Sequence, residues 1–279
     1  MKYINVADLH IHTTASDGAY TLGEVAGLAA QAGLEIIAVT DHDSVSGLDA
    51  GSRVDSVEVI PGVELSAELG AREVHILGYY IDTANERLQE TLVKLQQKRR
   101  ERLHGILEKL SELKIDIDAQ EVLDIAAGSS VGRLHVAELL IDKGHATTLY
   151  EAFRDFLGPE GKAFVPKTRF SVAAAIELVH ASGGAAVLAH PGYIFAPVEI
   201  RSFAREGLDG IEAYYPRHSP SDTMQALELA EELRMVVTGG SDFHGRRSTD
   251  VSIGATRVSR LEVEKLYERS RMYAAGRIS

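Results

Sequence analysis

Histidines and carboxylates recur in this chain at spacings suited to holding metal ions. Asp8-Leu9-His10-Ile11-His12 follows a short apolar run, Tyr3 to Val6, that reads as a first strand. Residues two apart on a strand point to the same face, so His10 and His12 project side by side from its end. Imidazole nitrogens ligate zinc, manganese or iron, and two on one rigid face make half a metal site. Asp17-Gly18 then turns the chain and brings a carboxylate back toward them. Alone, the stretch fits a solvated strand end equally well; the rest of the chain decides between the two.

The elements that would position these groups alternate. Thr21 to Gly33 reads as a helix with a Thr cap, Glu24 three residues on and Gly33 as its stop. Glu35 to Thr40 is a continuous apolar run suited to a strand buried on both faces, and it ends in Asp41-His42-Asp43. Val57 to Ile60 starts another strand, leading through Pro61-Gly62 to Val63-Glu64-Leu65-Ser66, and Arg72 to Tyr80, carrying His75, is a further one. Strand, helix, strand in alternation predicts an α/β fold with a mainly parallel sheet. From Asn85 to Leu113 the pattern becomes one long charged helix, followed by shorter ones at Asp118–Ala126, Arg133–Lys143 and Thr147–Phe156. No strand is evident before Phe164, so residues 101–165 read as a helical insertion covering the site, between barrel segments 1–100 and 166–279. Alternation then resumes: helix Ser171–Ser182, strand Ala185–Ala189, helix Val198–Glu206, strand Gly210–Tyr214, helix Ser221–Leu233, strand Met235–Thr238 and helix Leu261–Ala275.

Polar clusters fall just after the apolar strands: His10 and His12, His42, Glu64, His190, and Asp242 with His244. In a barrel of parallel strands the carboxyl ends share one face, where active sites sit. His75 lies inside its strand, so its convergence follows less directly. With Asp17 the set offers nine candidate ligands, too many for one ion and enough for three with positions left open to water or substrate. Three divalent cations against three carboxylates would leave a positive pocket, attractive to phosphate.

These motifs resemble those of the PHP (polymerase and histidinol phosphatase) family: His10-Ile11-His12 with Ser16-Asp17-Gly18, Thr40-Asp41-His42-Asp43, Gly62-Val63-Glu64, His75, Ala189-His190-Pro191-Gly192 and Ser241-Asp242-Phe243-His244. The resemblance implies a distorted (βα)7 barrel with a three-metal centre (Mn, Zn or Fe), all nine ligand positions being filled. Within the family, Val131-Gly132-Arg133-Leu134-His135 and Tyr214-Tyr215-Pro216-Arg217-His218-Ser219-Pro220 resemble the small bacterial nucleotide phosphoesterases. The usual motif has Pro where this chain has Leu134, while the Arg and His remain. The implied activity is removal of the 3′-phosphate from nucleoside 3′,5′-bisphosphates. Alternatives are 5′–3′ trimming of short RNA, a histidinol-phosphate phosphatase, or a catalytically idle metal-binding module. The expected reaction is in-line attack of a metal-activated water on phosphorus. Arg133 would bind phosphate through its planar fork, His135 would add a donor, His218 would contact phosphate or protonate the leaving group, and Arg217 would reach a second phosphate.

Composition sets the bounds. The 279 residues can bury one large core plus a modest insertion, and the 45% hydrophobic and 25% charged content is that of an ordinary globular chain. No apolar run approaches the roughly 20 residues of a membrane span. Zero cysteines exclude disulfides, thiolate sites and a cysteine nucleophile, consistent with the cytoplasm. A formal charge of −12 argues against long duplex nucleic acid as partner, but not against a small phosphorylated substrate. Lys98-Arg99-Arg100-Glu101-Arg102 reads as a solvated helix face. His104 and His180 read as surface or packing residues without partners, and His145 as part of a helix stop. Asp8, Asp41 and Asp43 either orient ligands or, for the latter two, cap the next helix. Lys162, Lys167 and Arg169 read as solvated loop residues.

Overall fold

The apolar runs become the strands of a nearly closed barrel. The computed structural model describes residues 5–48, 53–54, 56–70, 72–126, 131–166, 170–192, 194–245 and 251–274. Strands β1 (Asn5–Ile11), β2 (Ile36–Val39), β3 (Arg53–Val54), β4 (Val57–Leu69), β5 (Arg72–Tyr79), β6 (Ala185–Leu188), β7 (Gly210–Tyr214), β8 (Val236–Gly239) and β9 (Val258–Ser259) join in the order β8-β7-β6-β5-β4-β2-β1-β9, with β3 paired to β4. The ends of that order are drawn together where Ile11 pairs with Phe243, just beyond β8, and His12 N donates to Phe243 O at 3.0 Å. Gly240 permits this closure, because a Cβ there would stand 2.4 Å from the Cβ of His10.

Helices clothe the barrel. They are α1 (Leu22–Gln31), α2 (Glu86–Glu112), α3 (Ala119–Ala126), α4 (Arg133–Asp142), α5 (Leu149–Ala152), α6 (Val172–Ala181), α7 (Pro197–Arg205), α8 (Pro220–Leu233) and α9 (Arg260–Ala274). Thr21 and Glu24 form the expected capping box on α1, and Asn85 caps α2 by accepting from Leu88 N. The helix expected over Thr147–Phe156 divides into α5 and a single π turn, Phe153–Leu157. None of the described helices is long and apolar enough to cross a membrane.

The sheet is less parallel than the alternation suggested. The pairs β1–β2, β2–β4, β6–β7 and β7–β8 are parallel, but β5 runs antiparallel to both β4 and β6. The two runs expected around Pro61-Gly62 are one strand of 13 residues. Its first half pairs with β2 as far as Val39 and Pro61; its second half rises past the barrel rim and pairs with β5 from Gly62 to Leu69. The short strands β3 and β9 escaped the sequence reading because two residues carry no period.

Apolar burial collects on both faces of the sheet and again within the insertion. Leu88, Leu92 and Leu95 of α2 pack with β4, β5 and α6. Leu103, Ile106 and Leu110 of the same helix pack instead with Val122, Val136 and Leu140. One helix therefore belongs to two cores.

Candidate metal centre

Glu64 stands at the middle of the site. It lies just past the level at which β2 ends, and His42 pairs beside it in a parallel bridge. Its Oε2 is 3.2 Å from each of His10 Nε2, His12 Nε2 and His42 Nδ1. Its Oε1 is 2.7 Å from His75 Nδ1 and 3.2 Å from His190 Nε2. Five histidines from four strands thus meet one carboxylate that is 1% exposed. His75 reaches the mouth because β5 is reversed: the early residues of an antiparallel strand lie beside the late residues of its neighbours.

The other two carboxylates complete the ring. Asp242 Oδ1 is 3.1 Å from His12 Nε2 and 3.4 Å from His10 Nε2. Asp17 Oδ1 is 3.3 Å from His244 Nε2 and 3.5 Å from His12 Nδ1, and its Oδ2 is 3.9 Å from His42 Nε2. Eight of the nine residues fall in overlapping groups able to hold an ion: His12, Asp17, His42 and His244; His10, His12, Glu64 and Asp242; His42, Glu64 and His75; His190 joins them through Glu64 Oε1. Gly18 lets the Asp17 turn fold onto β1, since a Cβ there would lie 2.4 Å from His12 O. Asp43, His190 and Asp242 adopt left-handed backbone at φ 48°, 26° and 54°, local strain that the surrounding bonds hold in place.

The donor chemistry fits cations. His12 Nε2, His42 Nδ1 and His75 Nδ1 are buried with no hydrogen-bond partner, although carboxylate oxygens stand close by. Such orphaned nitrogens are costly unless their lone pairs bind something, and a shared cation is what this geometry suits. Burial raises the carboxyl pKa of Glu64, but His42, His75 and His10 outweigh it and hold the group well below the usual range. Asp17 and Asp242 are likewise held low by their histidines against the effect of burial. Burial pushes His42 down to about 3, leaving it a neutral donor. For His75 burial acts downward too, yet Glu64 and Glu73 carry it up to about 9. Ionised carboxylates surrounded by imidazoles form a cage in which bound cations would replace the histidine protons.

Further groups hold these ligands in place, and several went unread in the sequence. Glu212, fully buried, accepts from His10 Nδ1 at 3.0 Å and from His190 N at 2.7 Å. It was detectable as the one charge inside the apolar run Gly210–Tyr214. Glu73 Oε1 is 3.0 Å from His75 Nε2, and the Tyr215 hydroxyl donates to Asp242 Oδ2 at 3.0 Å. Asp8 accepts from Ser241 N and Oγ and from Gly254 N, tying β1 to the Asp242 loop. Asp41 accepts from Thr13 N, Thr13 Oγ1 and Ser16 Oγ and so fixes the turn that carries Asp17. Asp43 accepts from Ser66 N and Arg99 Nε. All three aspartates orient the ligand loops.

A cavity of about 320 Å³ opens over the cluster. Arg99, Arg102, Arg133 and Arg217 line it, with an apolar wall of Leu103, Ile106, Val131, Leu134, Val136 and Phe153 from α2 and the insertion. Arg99 and Arg102 correct the reading of their run as a solvated face. Arg99 follows Leu92 and Leu95 on the buried stripe of α2, and its Nε donates to Asp43 Oδ2 at 2.6 Å while Nη2 donates to Ser66 Oγ at 2.7 Å. Arg133 pairs with Glu73 and lies 5.4 Å from the Phe153 ring centroid.

Two expected substrate contacts are placed differently. His135 is fully buried, and its Nδ1 accepts from Gly132 N at 3.1 Å, closing the first turn of α4 rather than facing the cavity. His218 donates from Nδ1 to Ala213 O and accepts from Gly192 N at Nε2, both at 3.0 Å. Both its nitrogens are committed to backbone, bracing the His190 loop against the end of β7. His180 is not without partners: Nε2 is 2.8 Å from Asp209 Oδ2 and the ring stacks on Tyr273 at 3.7 Å. His104 is exposed, and His145 N bonds to Leu140 O just after Gly144, as a helix stop should. Lys162 is exposed, and Lys167 and Arg169 lie outside the described residues.

Comparison with known proteins identifies the family. The PHP domain family model matches residues 8–164. The 5′-3′ exoribonuclease Rnm of Salmonella typhimurium is 32% identical over 253 residues, 87% of this chain and 86% of that protein. The phosphoribosyl 1,2-cyclic phosphate 1,2-diphosphodiesterase of Eggerthella lenta is 32% identical over 249 residues, 86% of this chain and 95% of that protein. The 3′,5′-nucleoside bisphosphate phosphatase of Chromobacterium violaceum is 30% identical over 265 residues, 89% of this chain and 90% of that protein. A solved structure from Bifidobacterium adolescentis, assigned to the metal-dependent phosphoesterases, superposes with a TM-score of 0.87 at 27% identity, covering 94% of this chain and 96% of that one.

Proposed function

The chain belongs to the PHP domain family and is a metal-dependent phosphoesterase, and from that premise we propose that it hydrolyses the 3′-phosphate of nucleoside 3′,5′-bisphosphates. The products are inorganic phosphate and a nucleoside 5′-monophosphate. One observation carries the reading: a single cavity joins the ligand cluster, four arginines and an apolar wall that includes Phe153. That combination suits a ligand with anionic groups around a flat, weakly polar body, which describes a nucleotide better than a bare phosphate ester of a small amino alcohol. The name of the Chromobacterium relative supports the same substrate class.

In this reading His10, His12, Asp17, His42, Glu64, His75, His190, Asp242 and His244 hold three divalent cations, manganese, zinc or iron. Bound cations supply Lewis acidity, bringing the pKa of water toward neutrality and offsetting charge on the phosphoryl oxygens. Water attacks phosphorus in line, the bond to O3′ breaks, and the oxygen leaves with a proton from solvent. Arg133 presents its fork to phosphate oxygens and is steadied by Glu73, while Arg217 approaches from the exposed side of the cavity. His135 and His218 position the loops that carry these arginines, through Gly132 and through Gly192 and Ala213.

The Salmonella relative favours a second reading, 5′-end trimming of short RNA by the same centre. The test is phosphate and nucleotide release from adenosine 3′,5′-bisphosphate, AMP, histidinol phosphate and a short 5′-phosphorylated RNA, each with Mn²⁺ and with chelator. Manganese-dependent turnover of the bisphosphate that stops at AMP is the expected result. Preference for the RNA would replace the lead reading by the second, and preference for histidinol phosphate would overturn both.

A further inference from the structure

Arg102 stands out among the partly buried cavity arginines because it forms no ion pair among the described residues. Arg99 is neutralised by Asp43 and Arg133 by Glu73. Arg102 donates from Nε to Val165 O at 2.8 Å and forms no ion pair among the described residues. Its terminal nitrogens therefore have no protein partner there, although the side chain lines the cavity beside Arg133. Burial, with Arg133 and Arg99 nearby, pulls its guanidinium down to about 10 against the opposing charges of Glu73 and Glu68, and it is still charged at neutral pH. A partly desolvated cation next to two others is unfavourable by itself, and an anion between them would relieve it.

Its place along α2 says which anion. Arg99 is bound to Asp43, which directly follows His42, and to Ser66, two residues past Glu64. Arg102 is three residues further along the same face, about 4.5 Å along the helix axis, in the direction of the insertion. A phosphate undergoing hydrolysis must sit on the ligand cluster, so Arg102 is displaced from it toward the Phe153 wall, where the rest of the nucleotide would lie. Arg217 also borders the cavity but is exposed, where water and salt weaken its pull.

We propose that Arg102 reads the second, non-scissile phosphate of the substrate and so sets the preference for nucleotides that carry one. The inference rests on the nucleotide reading above and adds the residue that discriminates. That phosphate could belong to a free bisphosphate or to the 5′ end of a short RNA, and the experiment separates the two.

The metal-loaded enzyme and its Arg102→Gln and Arg102→Lys variants are assayed on two substrate pairs. One pair is adenosine 3′,5′-bisphosphate and adenosine 3′-monophosphate; the other is a trinucleotide with a 5′-phosphate and the same trinucleotide with a 5′-hydroxyl. For the pair the enzyme uses, Arg102→Gln should lower kcat/KM on the phosphorylated member about 10- to 100-fold more than on its partner, chiefly through KM. Arg102→Lys, which keeps the charge and loses the fork, should recover part of that selectivity. Equal losses on both members, or none on either, overturn the assignment of Arg102 while leaving the nucleotide reading in place. A wild-type enzyme indifferent to the second phosphate in both pairs overturns the nucleotide reading itself.

Discussion

Glu212 Oε1 lies 3.0 Å from His10 Nδ1, and both side chains are completely buried. A carboxylate can only accept, so this contact puts the proton of His10 on Nδ1 and turns Nε2 toward Glu64 and Asp242. The second oxygen of Glu212 accepts from His190 N, so one carboxylate on β7 orients two candidate ligands, one on β1 and one just past β6. Glu212→Gln keeps the shape but offers only one acceptor, and its amide can present N–H to His10. We expect metal affinity to fall by about 10- to 100-fold. Titration of the metal-free protein measures this directly, and unchanged affinity would remove Glu212 from the centre's support.

Metal loading should release protons. In the metal-free protein Asp242, Glu64 and Asp17 hold His12 up at about 10 against burial, and Glu64 with Glu73 holds His75 at about 9. Both are then protonated at pH 7.5, whereas a ligating imidazole must be neutral. Binding therefore expels protons, so affinity rises with pH and weakens as pH falls. Calorimetry at pH 7.5 in buffers of different ionisation enthalpy should give heats that vary with the buffer. Chelator should abolish turnover, and Mn²⁺ should restore it.

Arg99 and Asp43 form a second testable pair. Asp43 is 1% exposed, so truncating Arg99 to Met leaves its carboxylate buried without its cation, while Ser66 N still donates to it. Breaking such a pair from one side costs about 3 kcal/mol, since the desolvated charge remains. Because Asp43 adjoins His42, turnover should fall as well. Arg99→Met with Asp43→Asn should recover part of the stability, and denaturant melts of the four proteins close the cycle. Additive losses would mean that the two side chains act independently.

The legibility of this site followed backbone order. His10, His12, His42, Glu64, His190, Asp242 and His244 could be read because each follows an apolar strand closely, and Asp17 because it sits in the turn after the first one. His75 could not be placed by that rule, since nothing in an apolar run announces that the strand is reversed; only pairing with both β4 and β6 does. Glu212 and Arg99 were readable in principle, as a charge within an apolar strand and a charge on the apolar stripe of a helix. Arg99 was hidden by its charged neighbours, which share its composition but not its face. His135 and His218 pose the opposite case. Their residue type suggested chemistry, while Gly132 N bonds to Nδ1 of His135, and Ala213 O and Gly192 N take up both ring nitrogens of His218.

The two cores along α2 lead to a final prediction. Leu110 is fully buried in the insertion's core, far along the helix from Leu88 and Leu92, which pack on the barrel. Leu110→Ala removes buried methyl groups and leaves a void, at a cost of about 2–5 kcal/mol. The loss falls on the core that supports α4 and the π turn, and these carry Arg133 and Phe153. The nine candidate metal ligands stand on barrel strands and their loops instead. Hydrogen exchange should therefore quicken in α3, α4 and α5 well before β1, β2 and β6. KM for the substrate should rise while metal affinity stays within about two-fold of the wild type. Uniformly faster exchange across both regions would mean that barrel and insertion unfold as one unit, with α2 coupling them too tightly to separate.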